Sequence, residues 1–312
     1  YTANTAFMYH NEKLFALHET DTPYRINLNY YNNTIHTGKH YIFKNITTTT
    51  AHPKFDDFRK RIYLYSYTGH QSKKGQFIHN VFDYDFNLRE SKYIDLINNG
   101  IIHDIGQTKY NLIIPDMPLK ADFNRMFDNK LPIYFDKKGV TRFGILNKDT
   151  DKLKWYTFDK NFFIFHFAEC YESKNNYYAY ACILDNVHFA SFIDNKKFKP
   201  FEGTQLSQII LSKHSNSTKI IQNTFLNKFI KNTDYITEFP TRSKLNSTYI
   251  YCTIVESQKG EIHGYLKLDL SDFQNSTPNI FLMHDRFGNS EAQPVIIDDK
   301  EYLLSYTYNK EN

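Results

Sequence analysis

Short runs of aromatic and β-branched residues recur along the chain, and they constrain its fold more than any other feature. Several runs alternate apolar and polar side chains with a period of two, as half-buried strands do. Aromatic residues make up 17% of the 312 residues, which favours strands because such side chains pack well on a pleated surface. The runs lie at 13–17, 61–67, 110–114, 154–158, 177–184, 249–255 and 302–308. We therefore expect an all-β protein.

The spacing of the runs predicts a β-propeller. The runs that begin near residues 13, 61 and 110 are about 49 residues apart, and a four-stranded blade takes roughly 40–50 residues. Turn-forming pairs such as Asn11-Glu12 and Asp298-Asp299 separate strands. Gln205–Ser212 and Phe225–Ile230 are ambiguous between helix and long strand. No glycine-, serine- or proline-rich linker divides the chain, so we expect one domain over residues 1–312. A β-sandwich is the alternative, although the chain is long for one.

Charge and cysteine content exclude several classes of protein. The net charge is +4 and forms no basic stripe, so nucleic acid is not an implied partner. The pairs Lys73-Lys74 and Lys137-Lys138 are interpreted as solvated turn residues. Three cysteines without CxxC spacing imply no disulfide framework and favour a reducing, cytoplasmic location. No apolar run approaches the roughly 18–20 residues that a membrane span needs.

Three of the 13 histidines have distinctive settings. His52 lies in AHPKFD, His103 in IIHD, and His166 in the apolar run FFIFHF, where a buried imidazole needs a partner. The gaps are about 51 and 63 residues, close to the period of a blade. Equivalent positions on successive blades aim at one axis, and converging neutral imidazoles suit a transition metal. The other histidines are expected to be ordinary surface or core residues, among them His10, His36, His40, His70, His79, His188, His214, His263 and His284.

Other catalytic patterns are absent from the sequence. It has no HExxH, no GxSxG and, with 11 glycines, no glycine-rich phosphate loop. Spacing by itself therefore leaves a metal site and unrelated core histidines both open.

Four segments, in order, resemble the motifs of the carotenoid cleavage oxygenases. They are Ala51–Asp56, then His103-Asp104 with Thr108 and Pro115–Leu119, then Phe163–His166 with Tyr171-Glu172, and then Glu238-Phe239-Pro240. Residues 4–19, 142–146 and 294–308 add weaker likeness, so the match covers nearly the whole chain. The resemblance implies a seven-bladed β-propeller with a non-haem Fe(II) on its axis. We expect the chain to lack N-terminal segments and the C-terminal end of that propeller.

The resemblance also implies a ligand set. His52, His103 and His166 correspond to three of four histidine ligands of one Fe(2+) per chain, and Glu19 and Glu238 to carboxylates behind the imidazoles. At the third carboxylate position stands Gln293, and the nearest acid is Glu291. The family's fourth histidine lies near its C-terminus, and this chain ends before it.

Family members use Fe(II) and O2 to split a conjugated C=C bond of an apolar substrate into two carbonyl products, without an organic cofactor. Stilbene-cleaving members often carry lysine where this chain has His18, so the resemblance favours an apocarotenoid-like polyene. Two alternatives stay open. One is a retinoid-isomerase-like enzyme. The other, favoured by Gln293 and by the missing fourth histidine, is a catalytically inactive propeller that binds a hydrophobic ligand or a partner.

The segment 117–134 is a candidate for peripheral membrane contact. It places Met117, Leu119, Leu131 and Ile133, and most prominently Phe123, Met126 and Phe127, among basic residues. Such a mixture suits a segment that lies on a bilayer without spanning it. The alternative is a surface loop whose apolar side chains pack on the propeller.

Overall fold

A computed structural model describes most of the chain. The described residues are 4–19, 21–29, 31–32, 34–40, 43, 46–68, 75–187, 201–202, 204–288 and 291–309. His70, Lys73, Lys74 and His188 lie outside them. The chain forms two compact units, Tyr1–Asp104 and Ile105–Asn312.

The first unit contains two antiparallel sheets. The first sheet consists of β1 (Ala6–His10), β2 (Lys13–Leu17), β3 (Tyr24–Asn29) and β4 (Thr34–His40) in that order. The second consists of β5 (Lys54–Asp56), β6 (Arg61–Tyr63), β7 (Ser66–Tyr67), β8 (Gln76–Asp83) and β9 (Leu88–Asp95). Asn11 and Glu12 both have positive φ (47° and 58°) and close a two-residue hairpin between β1 and β2, as the turn signal predicts. The core of this unit includes Phe15, Leu17, Ile62, Leu64 and Phe82.

The second unit begins with two consecutive four-stranded sheets. One is formed by β10 (Gly106–Gln107), β11 (Asn111–Asp116), β14 (Arg142–Asn147) and β15 (Leu153–Thr157), with β12 (Leu119–Ala121), a 3-10 helix (Phe123–Asp128) and β13 (Ile133–Phe135) inserted between β11 and β14. The next is formed by β16 (Phe163–Glu172), β17 (Asn176–Leu184), β20 (Gln205–Ser212) and β21 (Thr218–Gln222), with the short pair β18 (Asn186–Val187) and β19 (Phe201–Glu202) between β17 and β20.

A helix and a larger sheet complete the second unit. The helix is α1 (Thr224–Asn232). The six-stranded sheet consists of β22 (Tyr235–Arg242), β23 (Tyr249–Glu256), β24 (Ile262–Asp269), β25 (Asn279–Leu282), β26 (Arg286–Gly288) and β29 (Thr307–Asn309), and β27 (Gln293–Ile297) and β28 (Lys300–Leu304) form a separate two-stranded sheet. The Asn223 side chain caps α1 by accepting a hydrogen bond from Leu226 N at 2.9 Å. The core includes Tyr180, Leu206, Ile250, Leu266 and Leu268.

The all-β prediction is confirmed, and the number of blades is not. The described residues form five blade-like sheets instead of seven. The five sheets begin at residues 6, 54, 106, 163 and 235. The first two repeats are therefore about 50 residues, the usual length of a blade, and the two repeats with insertions between blade strands are longer. Both ambiguous segments are resolved: Gln205–Ser212 is strand β20, and Phe225–Ile230 lies in α1.

Candidate metal centre

Two histidines of the first unit lie side by side. His52 immediately precedes β5, and the Thr50 hydroxyl accepts a hydrogen bond from its backbone N–H at 2.8 Å. His103 lies in the irregular segment after β9. The Nε2 atoms of the two rings are 3.0 Å apart, and the ring planes are inclined at 61°. Residues that are 51 positions apart in the sequence therefore present the same ring atom to each other.

The His103 imidazole has a carboxylate at Nδ1, the ring nitrogen that does not face His52. Glu19 pairs with Nδ1 of His103, and its other oxygen accepts a hydrogen bond from the Tyr67 hydroxyl at 3.1 Å. The Tyr65 hydroxyl donates to the His103 carbonyl at 2.8 Å and fixes the backbone. Because Glu19 accepts a hydrogen bond from Nδ1–H, the Nε2 of a neutral His103 carries the lone pair that faces His52. Carboxylates behind metal-ligating histidines act in this way.

The spacing of the two nitrogens matches two ligands of one ion. Ligands that are each about 2.1 Å from a first-row metal and about 90° apart lie roughly 3.0 Å from each other. His52 and His103 can therefore hold a transition metal through nitrogen, the donor type such metals accept.

In the second unit, His166 lies on β16 where the strand is irregular. The register of β16 against β17 shifts between Ile164 and Phe167 and again between Phe167 and Glu169. Such bulges turn a side chain away from the regular alternation of a strand. The His166 side chain is 9% exposed and has a carboxylate oxygen near each ring nitrogen. Glu238 Oε2 is 3.5 Å from Nδ1, and Glu291 Oε1 is 3.2 Å from Nε2.

The EFP motif places Glu238 through a strained bulge. The register of β22 against β23 shifts between Glu238 and Thr241. Phe239 has φ of 47°, a left-handed conformation that costs a non-glycine residue of order 1–3 kcal/mol. This conformation directs the Phe239 backbone N–H to Glu238 Oε2 at 2.6 Å. The Phe239 ring packs on the His166 imidazole with centroids 5.3 Å apart.

The charge around His166 fits a bound cation. Glu238 Oε1 is buried and has no hydrogen-bond partner in the described part of the chain, an arrangement that costs about 1–3 kcal/mol or more for a charged group. Burial by itself lowers the pKa of His166, but hydrogen bonds from the imidazole to Glu238 and Glu291, together with their charges, outweigh burial and raise the pKa to about 10. Two carboxylates around one buried imidazole thus attract positive charge, which a proton or a metal ion can supply.

Two motif residues have a structural role that the sequence does not reveal. Glu172, six residues after His166 on β16, accepts hydrogen bonds from the Thr108 hydroxyl at 2.6 Å and from Tyr110 N at 3.1 Å. It also contacts the Lys213 ammonium at 2.8 Å. Thr108 and Glu172 therefore fasten β16 to the β10–β11 turn.

The other predicted residues are Gln293 and the apolar residues of the segment 117–134. Gln293 is exposed at the start of β27, and its side chain has no hydrogen bond within the described ranges. Phe123, Met126 and Phe127 are 50%, 57% and 88% exposed on the 3-10 helix. Met117 and Leu119, which the sequence pattern groups with them, are buried. Met117 directly follows β11, whose residues are all buried, and Leu119 is the first residue of β12.

A second donor cluster was missed because it depends on a hairpin. Nε2 of His263 lies 3.6 Å from Glu256 and 3.3 Å from Glu261, at the β23–β24 turn. These three side chains could also hold a metal ion. Lys259 is 3.9 Å from the same Glu256 oxygen and competes for its charge. Glu256, Glu261 and His263 lie within eight residues of the sequence. The sequence signal for the cluster is therefore limited to the composition of this turn.

Comparison with known proteins supports the resemblance in the motifs. The model of the Retinal pigment epithelial membrane protein family matches residues 1–312. Carotenoid 9,10(9',10')-cleavage dioxygenase 1 of Pisum sativum is 31% identical over 191 residues, covering 59% of this chain and 34% of that protein. Its namesake from Arabidopsis thaliana is 28% identical over 276 residues, covering 86% of this chain and 49% of that protein.

Solved structures show the same fold. Cobalt-substituted ACO of Synechocystis superposes with a TM-score of 0.77 at 17% identity, over 99% of this chain and 66% of that one. Lignostilbene dioxygenase of Pseudomonas brassicacearum gives 0.75 at 18% identity, over 98% and 66%. In the described residues, no helix has the length and apolar character needed to cross a membrane.

The chain spans about a third to a half of the two plant dioxygenases. The family model nevertheless extends over all 312 residues. The protein thus belongs to the Retinal pigment epithelial membrane protein family, in which carotenoid cleavage oxygenases are found.

Proposed function

We propose that this chain carries the iron-binding part of an oxygenase that cleaves a conjugated C=C bond of an apolar polyene with O2. In this proposal, His52, His103 and His166 hold one Fe(2+) through Nε2. The observation that carries it is the matched arrangement of His103 and His166. Each has a carboxylate at Nδ1, Glu19 in the first unit and Glu238 in the second, so Nε2 is the nitrogen that would bind the metal; at His166 the metal would take the place of the contact with Glu291.

Iron, when bound, supplies the activation of O2 for attack on the double bond. The protein's own residues prepare its ligands. Glu19 accepts a hydrogen bond from Nδ1–H of His103 and a second one from the Tyr67 hydroxyl, which fixes the carboxylate. Glu238 does the same for His166 and is fixed by the backbone of Phe239. Both imidazoles are thereby held in one tautomer and one orientation, and the Phe239 ring excludes water from one face of His166.

We propose an apocarotenoid-like polyene as substrate and two carbonyl compounds as products. Two similar proteins are named for cleavage of carotenoids at the 9,10 position, and a similar structure is that of a lignostilbene dioxygenase. His18 stands next to Glu19, at the position where stilbene-cleaving members of the family often carry lysine. This favours a polyene without a phenol group.

The test is iron content after anaerobic reconstitution with Fe2+. We expect about one iron per wild-type chain and loss of that iron in His103→Ala and His166→Ala, because each removes a nitrogen donor. His214→Ala is the matched control, since His214 is exposed and contacts Asn175. Equal iron in wild type and His166→Ala would refute the ligand assignment.

Product analysis separates the enzyme from an inactive relative. The reconstituted protein is incubated with an apocarotenal and O2, and the products are identified by mass spectrometry. Two carbonyl fragments that are absent with His103→Ala support the proposal. Stoichiometric iron with unchanged polyene would instead favour the hydrophobic-ligand-binding propeller.

A further inference from the structure

An ion pair joins the two segments that carry His52 and His103. Lys54 follows His52 by two residues, and Asp104 directly follows His103. Lys54 Nζ lies 2.6 Å from Asp104 Oδ1, and the two side chains are 21% and 4% exposed. A charge-assisted contact of this length is among the stronger polar contacts in a protein. The pair therefore connects the AHPKFD motif directly to the segment that carries His103.

Side-chain contacts, and not a shared strand ladder, set the position of His103 relative to His52. The ladder of β5 runs to β6, where Lys54 pairs with Tyr63, whereas His103 lies in an irregular segment. Two contacts hold the backbone around His103. The Tyr65 hydroxyl donates to its carbonyl at 2.8 Å, and Lys54 binds the side chain of the next residue. Of these two contacts, the Lys54 contact starts from the strand that follows His52.

The two imidazoles do not attract each other when both are ready to bind a metal. Each must then present the lone pair of Nε2, and two such acceptors 3.0 Å apart share no proton. The Lys54–Asp104 pair supplies an attraction between the same two segments. Because Asp104 is almost fully buried, its carboxylate is held at the Lys54 ammonium, since a buried charge without a partner is costly.

We propose that Lys54 and Asp104 are positioning residues that hold His52 and His103 at the spacing of two metal ligands. This inference rests on the proposed function, because the spacing matters only when both nitrogens bind one ion. Because the ion pair is neutral as a whole, it draws the two segments together without changing the net charge of the site.

The test is Co2+ binding by the full chain, measured by titration and by the visible absorption bands of the bound ion. Co2+ is a suitable probe because a structure of cobalt-substituted Synechocystis ACO exists. Loss of an outer contact that orients metal ligands weakens metal binding about 10–100-fold. We expect a loss of at least about 10-fold in both Lys54→Met and Asp104→Asn, with altered bands. Lys54→Arg keeps an ion pair and should stay within about 3-fold of wild type.

A role through charge alone predicts a different sign. Removing an ammonium group near the site reduces the repulsion of Co2+, so Lys54→Met would then bind Co2+ more tightly, whereas Asp104→Asn would bind it more weakly. Loss of position weakens binding in both variants. Unchanged or tighter binding in Lys54→Met therefore overturns the inference.

The double variant and a control pair sharpen the test. Lys54→Met combined with Asp104→Asn should lose about as much as the weaker-binding single variant, because both changes remove the same contact; fully additive losses overturn the inference. Lys120→Met is the matched control, since Lys120 and Asp136 form a pair of 2.7 Å with exposures of 26% and 25%. That pair lies in the insertion between β11 and β14, which carries none of the three histidines, and its loss should leave the Co2+ bands unchanged.

Two comparisons keep the outcome clear. Affinities are measured where circular dichroism shows that each variant is folded; if Lys54→Met does not fold, Lys54→Arg is compared with Asp104→Asn, and equally weak binding in both overturns the inference. His103→Ala removes a ligand and should abolish the Co2+ bands. Bands that survive in His103→Ala overturn the proposed function as well. Bands that are lost in His103→Ala but unchanged in Lys54→Met overturn the positioning role alone.

Discussion

Replacing Glu172 by Gln tests whether Glu172 stabilises the position of β16, the strand that carries His166. Glu172 accepts hydrogen bonds from the Thr108 hydroxyl at 2.6 Å, from Tyr110 N at 3.1 Å and from Asn111 Nδ2 at 3.1 Å. Lys213 contributes an ammonium at 2.8 Å. Glutamine keeps the size of the side chain but turns an NH2 group toward these donors.

The structure gives the magnitude of the loss. The side chains of Glu172 and Lys213 are 10% and 23% exposed. Removing one partner of a buried ion pair costs about 3–5 kcal/mol, and the remaining exposure of Lys213 places the expected cost near the lower end, about 3 kcal/mol. For a unit of this size, about 1 kcal/mol shifts the melting temperature by roughly 2–4 °C, so we expect a decrease of roughly 6–12 °C.

The loss should depend on pH. Burial raises the pKa of Glu172, but the hydrogen bonds from Lys213, Thr108 and Tyr110 outweigh burial and lower it below the usual value. A carboxyl group with a lowered pKa in the folded state contributes stability above its unfolded pKa of about 4.3. That contribution is lost as the pH falls through the lower, folded value. The difference between wild type and Glu172→Gln should therefore shrink below about pH 4.

The assay is thermal unfolding followed by circular dichroism at pH 7 and at steps down to pH 3.5. Asp185→Asn is the matched control, because the Asp185–Lys160 pair is half-exposed (50% and 52%) and such pairs contribute about 1 kcal/mol or less. A Glu172→Gln shift no larger than that of Asp185→Asn, or one that is constant with pH, would refute the reasoning.

Three further predictions concern packing, the metal site and the membrane. Gly106→Ala should lose about 1–3 kcal/mol in urea unfolding, because the added Cβ would lie 2.7 Å from Cys170 Sγ; Cys170→Ala should recover part of the loss, and equal losses in both backgrounds would contradict this. Glu19→Gln should weaken Co2+ binding about 10–100-fold in a chelator competition, because the acceptor at Nδ1 of His103 loses its negative charge; an unchanged affinity would contradict the role of Glu19. Changing Phe123 and Phe127, 50% and 88% exposed, to Ser should reduce co-sedimentation with liposomes with little dependence on salt, and pelleting equal to wild type would exclude this segment as the docking surface.

Much of the local structure follows from the sequence alone. Runs of aromatic and β-branched residues identified β2, β17 and β23 within one residue of their bounds, because such side chains pack well on a pleated surface. Asn11-Glu12 and Asp298-Asp299 were predicted as turns, and all four residues have positive φ. The motifs around His52, His103 and His166 also identified the family that the whole-chain comparison supports.

Only the tertiary structure decided which side chains meet. The bulge of β16 presents His166, and the strained Phe239 directs Glu238 to it. Neither feature has a local sequence signal, because bulges arise where two strands pair. The path of the chain into β27 illustrates the same limit, because it brings Glu291, two residues before Gln293, to 3.2 Å from Nε2 of His166. Sequence motifs specify which donors are available, and the pairing of distant strands determines which of them come close together.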